Sequence, residues 1–289
     1  MSCFVENDAF RHANETCLSM KTSLLSLCAL AGMQLLSAIS LGGELHPIVD
    51  AGEGFLVGAS GDGKWWEGAR AVKAVREGTS VRLFSLTREL GIVKAGAPKP
   101  AGEPLPDVWT VPLTDAPHEA VIGVVASWDP LPRKPKLADP TQPAYVEAVR
   151  KYLQSRGIVK PDVKITKIVR IDLDGDGTDE VLISATNYFE KGGDSDIPNG
   201  APAGSYSCIL LRRETKGGVE TQLLAGDFYP KKQTFNAPQR HEIVAVLDLT
   251  GDHKMEVVLH SSYYEGGWTA VYECARGKVK KVLEAGGGA

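Results

Sequence analysis

The sequence predicts an α+β fold that is mostly β: a small mixed N-terminal domain and a β-rich C-terminal domain with one covering helix. Three observations carry that prediction. Short runs of branched and aromatic residues recur through the second half (Ile168-Val-Arg-Ile171, Val181-Leu-Ile183, Tyr206-Ser-Cys-Ile-Leu-Leu211, Val244-Ala-Val-Leu247, Val257-Val-Leu259), the composition that suits a half-buried pleated surface. One segment, Ala144 to Leu153, places Val146, Val149 and Leu153 at helical spacing. Two acidic stretches of the same outline, 172–180 and 248–256, each sit between two strand-like runs at an offset of 76 residues.

Length and composition set the outer limits. At 289 residues, with 43% hydrophobic and 24% charged residues, the chain has room for one large or two modest soluble domains and is not of disordered composition. The net charge is −4 and the lysines and arginines are scattered. This excludes the concentrated basic footprint that nucleic-acid binding requires.

In chain order, residues 1–40 read as a leader region. Met20-Lys21 precedes the apolar run Leu24 to Leu36, and Ala38-Ile-Ser40 has the small-x-small pattern of a signal-peptidase site. A signal peptide over about 20–40, with Met20 as the start, is the expectation. The run is too short to span a membrane comfortably, so no span is expected once the leader is removed. Extracytoplasmic residence follows. Residues 41–130 form the mixed domain, with strands expected at 54–58, 80–85 and 120–126 and a short helix over 66–76. Eleven of the seventeen prolines fall between Pro98 and Pro143. Because proline stiffens the chain and bars helix, 131–143 reads as a linker, and 144–285 as the β-rich domain. Cys208 and Cys274 both fall in expected strands. Export would permit a disulfide between them, but two buried free thiols are the expectation.

The first acidic stretch, Asp172-Leu-Asp-Gly-Asp-Gly-Thr-Asp-Glu180, has aspartates at alternate places and two glycines that permit positive φ. Carboxylates about 4 Å apart repel by roughly 1 kcal/mol per pair in water and about 4 near a protein surface. A hard dication with six to eight oxygen ligands, calcium, relieves that repulsion. The ligand set is then Asp172, Asp174, Asp176, the Thr178 carbonyl and Glu180. The second stretch supplies the corresponding Asp248, Thr250, Asp252, the Lys254 carbonyl and Glu256. An EF-hand is excluded, because its twelfth place needs Glu and here holds Ile183 and Leu259, with strand rather than helix following.

The first loop resembles the FG-GAP/VCBS repeat family, the calcium-loop repeats of integrin-α-type β-propellers and of many secreted bacterial proteins. It meets the pattern D-x-[DN]-G-D-G-x-x-[DE] in full, and the second loop departs from it at Thr250, His253 and Lys254. The resemblance covers about 145–280 and implies strand–calcium loop–strand repeats with Ca2+ bound. Two copies fall short of a closed propeller of four to eight blades.

Signatures of catalysis fail. Gly58-Ala-Ser-Gly-Asp62 misses G-x-S-x-G at its last place. His241-Glu242 starts H-E-x-x-H, but Ala245 stands where the second histidine belongs. His253 and His260 lie near the second loop as further metal or base candidates. Tyr188, Tyr263, Tyr264 and Trp268 follow the loops and can line a binding face. Two functions stay open: an exported, non-catalytic calcium-binding module with a protein or carbohydrate ligand, or an extracytoplasmic hydrolase-like enzyme whose catalytic residues form no local motif.

Overall fold

A computed structural model describes residues 44–288, apart from 104, 106, 188–199 and 276. The leader, its cleavage site and Tyr188 lie outside the described residues. The rest is mostly β: antiparallel sheets with two short helices, Gly68–Ala71 and Pro143–Ser155, plus a 3-10 turn at Val72–Ala74.

Three sheets make the body. The first has six strands in the order Lys64–Trp66, Leu56–Gly61, His46–Asp50, Ile122–Val124, Ser80–Phe84 and Glu89–Lys94. The second runs Gly218–Tyr229, Ser205–Thr215, Glu180–Thr186, Ile165–Ile171 and Lys136–Ala138. The third is a four-stranded meander, Arg240–Leu247, Glu256–Tyr263, Gly266–Ala275 and Lys278–Gly288. In the second and third sheets the acidic loop joins the first two strands of a hairpin in the same register, Ile171 opposite Glu180 and Leu247 opposite Glu256.

The second sheet is buried on both faces, and its sequence shows why. Side chains alternate across a strand, so Val169, Ile171, Leu182, Ile209 and Leu211 face the core shared with the other two sheets. Ile168, Ile183, Cys208 and Leu210 face the opposite way, where Val149 and Leu153 of the Pro143–Ser155 helix cover them. Pro143 opens that helix at its first turn, where its missing N–H costs nothing. Each fully buried aliphatic side chain contributes about 1.5–3 kcal/mol. Cys208 and Cys274 are free thiols, and burial pushes both up to about 12.

One core draws on all three sheets. Ile48, Val57, Phe84 and Ile122 of the first pack with Leu182 and Ile209 of the second and with Val246, Val258 and Leu283 of the third. The proline-rich stretch read as a linker is built into this body: Leu131 is buried in the shared core, and Lys136–Ala138 pairs with Ile165–Ile171 at the edge of the second sheet. Residues 42–289 accordingly form one compact unit.

His241 lies on the seam between the second and third sheets. Its N–H donates to Ser207 Oγ at 3.0 Å, and its Nδ1 lies 2.7 Å from Ser261 Oγ. Its Nε2 has no partner among the described residues. Burial pushes its pKa below the usual 6.5, against the pull of Asp227.

Two outcomes follow. Phe84→Ala should cost about 3–5 kcal/mol, and urea unfolding followed by circular dichroism and by tryptophan fluorescence should remain one coincident transition; separate transitions would show two independent domains. For His241, the unfolded chain binds the proton more readily below about pH 6.5. Stability should therefore fall as pH drops from there toward the depressed folded value, and His241→Gln should remove that part of the slope in denaturation measured at stepped pH.

Candidate metal centre

Each acidic loop is folded by its own first aspartate. In the first, Asp172 Oδ1 accepts the N–H groups of Gly175 (2.7 Å) and Asp176 (3.1 Å), and Oδ2 accepts that of Gly177 (3.0 Å). In the second, Asp248 Oδ1 accepts from Thr250 (3.2 Å) and Gly251 (2.6 Å), and Oδ2 from His253 (3.0 Å). The fifth place repeats the device: Asp176 Oδ1 accepts the Thr178 N–H at 2.7 Å, and Asp252 Oδ1 the Lys254 N–H at 2.9 Å. The coil turns through positive φ at Gly175 and Gly177 in the first loop. His253 takes the position of Gly177 at φ 63°, where a side chain is strained.

The second place anchors the loops. Leu173 and Leu249 are buried in the shared core, so the second residue holds each loop down while Asp174 of the first loop stays exposed above it. Glu180 and Glu256 then close each loop from inside, Glu180 Oε2 accepting the Leu173 N–H and Glu256 Oε2 the Leu249 N–H, both at 2.8 Å. Burial raises the pKa of both glutamates, opposed by that hydrogen bond and reinforced by neighbouring aspartates; Glu256 is pushed up to about 8.

The first loop brings three of the expected ligands together. Asp172, Asp174 and Asp176 each offer an oxygen, and these lie within 4.8 Å of one another. A calcium ion about 2.4 Å from each ligand holds ligand atoms no farther apart than about 4.8 Å, so the trio fits one ion. Asp174 accepts no hydrogen bond among the described residues, and Asp172 keeps lone pairs beyond its backbone contacts. Glu180 stands outside the trio, on the Leu173 N–H. Asp179 turns away to Lys136 (3.1 Å) and Arg170 (3.5 Å).

The second loop is built differently. Asp248 is fully buried. Thr250 replaces Asp174, and the Lys254 ammonium sits 2.6 Å from Asp252 Oδ2. Burial would raise the Asp252 pKa, but its bonds to Lys254 outweigh this and hold it low. Among the described residues, no trio of ligand oxygens converges here.

The loops touch, and a segment the sequence reading passed over binds them. Met255 N–H donates to the Leu173 carbonyl at 2.8 Å. Arg133 donates from Nε to the Asp172 carbonyl (2.7 Å) and from Nη2 to the carbonyls of His253 (2.6 Å) and Leu173 (3.3 Å). Trp128 Nε1 donates to the Asp248 carbonyl at 2.9 Å, and its ring lies where a Cβ on Gly251 would come within 3.0 Å. No local pattern marks Arg133 or Trp128, because their partners lie far along the chain.

The residues weighed for catalysis have structural duties. Ser60 is buried and donates to the Leu249 carbonyl. His241 is on the sheet seam. His260 Nδ1 lies 3.2 Å from Thr269 Oγ1, whose hydroxyl donates to buried Asp50. No helix among the described residues is long and apolar enough to cross a membrane. Compared with protein-family models, curated proteins and solved structures, the chain matches none of them.

The two kinds of aspartate separate experimentally. In chelator, Asp248→Ala should cost about 2–3 kcal/mol, since it removes a fully buried carboxylate and its three partly buried hydrogen bonds. Asp174→Ala should stay within about 0.5 kcal/mol. Chemical denaturation measures both, and equal costs would contradict the division of labour.

Proposed function

We propose that the chain is an exported, non-catalytic calcium-binding module in which the ion at the first loop is mainly a structural staple and the protein serves in binding or adhesion. The observation that carries this is the convergence of Asp172, Asp174 and Asp176 on one centre, on a loop that backbone hydrogen bonds already hold in shape. Three carboxylates that close repel one another, and a cation removes the penalty. Calcium suits an oxygen-only donor set with irregular geometry.

The resemblance to FG-GAP/VCBS repeats supports the same reading, since each acidic loop joins two neighbouring antiparallel strands. The segment over 20–40 supports export. For the ligand, a protein or a carbohydrate, the hairpin after the second loop offers Tyr263, whose ring lies 5.5 Å from those of both Tyr264 and Trp268. Tyr264 is 46% exposed, which leaves an aromatic edge available for stacking.

An ion that binds only the folded chain stabilises it by about 2.7 kcal/mol at a hundredfold excess over Kd. The melting temperature should rise in millimolar calcium relative to chelator, and Asp174→Ala should abolish the rise. Asp252→Ala should leave most of it. An unchanged melting temperature for the unsubstituted protein would sink the proposal.

A further inference from the structure

In the second acidic loop the first aspartate also accepts three backbone N–H groups, from the third, fourth and sixth places rather than the fourth, fifth and sixth. The loop carries a different set of charges. Asp248 accepts three N–H groups as Asp172 does, but it is fully buried where Asp172 is half-buried. Glu256 Oε2 is taken by the Leu249 N–H. Thr250 brings no carboxylate. Asp252 Oδ2 remains, and the Lys254 ammonium takes it at 2.6 Å. In the first loop the residue at that place is Thr178, which makes the same backbone bond to its aspartate and adds no charge. The Arg133 guanidinium bonds carbonyls of both loops and does not distinguish them.

We infer that the second loop is a metal-free copy whose cation is the tethered ammonium of Lys254, so that the chain takes up one divalent ion rather than two. An incoming dication would have to displace the ammonium from Asp252 and then sit beside that positive charge with one carboxylate fewer than the first loop offers. Lys254 is thus the residue that sets the ion count. The count of one rests on the calcium reading of the first loop; the exclusion of metal from the second does not.

The test is a stoichiometry measured with calcium chloride alone, by isothermal titration calorimetry and equilibrium dialysis of the full chain, with circular dichroism to show that each variant is folded. Wild type should bind one ion, Asp174→Ala none, Lys254→Thr two, and the double variant one. Lys254→Arg should keep the wild-type count. If Lys254→Thr fails to fold, Lys254→Gln removes the charge at similar length. Two ions on wild type, or a folded Lys254→Thr that gains none, overturns the inference. No ion on wild type but one on Lys254→Thr sinks the first-loop reading and upholds this one. No ion on either sinks both.

Discussion

An acidic loop that must lie against an apolar core has to satisfy opposite demands at neighbouring places, and the rest of this structure depends on how that is done. Leu173 and Leu249 go down into the core; beside Leu173 the acid Asp174 stays exposed, while beside Leu249 the acid Asp248 is itself fully buried. The first aspartate makes this possible by accepting three backbone N–H groups that the tight coil leaves without partners. These donors sit on exposed residues, so the carboxylate's part is to fix the coil in one shape above the buried Leu173. The strands on either side keep their register as a result.

Two consequences for charge follow. With its first aspartate committed to the backbone, the first loop presents the free carboxylate of Asp174 beside Asp172 and Asp176. The second loop has the same coil with Asp174 exchanged for Thr250 and a lysine placed over Asp252. Similar coils therefore support two electrostatic solutions, because the bonds of the first and fifth places run to backbone N–H groups and leave the side chains that differ free to vary.

What could be read from the sequence was whatever is local. The strands around the loops were legible because branched residues crowd at Ile168 to Ile171 and Val257 to Leu259, and the helix because Val149 and Leu153 share a face. The trio Asp172, Asp174, Asp176 was legible because alternate places in a glycine-bearing coil turn the same way. The strand His46–Asp50 carries no such mark, being short, with Pro47 inside it and no alternation. Glu180 looked like a ligand by spacing alone, yet the nearest strong donor is the Leu173 N–H. Lys254 was expected to contribute its carbonyl, and spacing carries no information about where a long flexible side chain settles. The proline tract had the composition of a linker; Leu131 and Lys136–Ala138 are built into the body because a buried leucine and an open sheet edge outweigh a local preference for extension.

Arg133 hydrogen-bonds carbonyl groups 39, 40 and 120 residues further along the chain. Contacts of such sequence separation carry a large closure entropy and are made only after the intervening segments have their shape. The two hairpins can each form from neighbouring residues, but their final alignment waits for a guanidinium that arrives from outside both. An intact corner therefore reports that both hairpins have docked against the segment that carries Arg133.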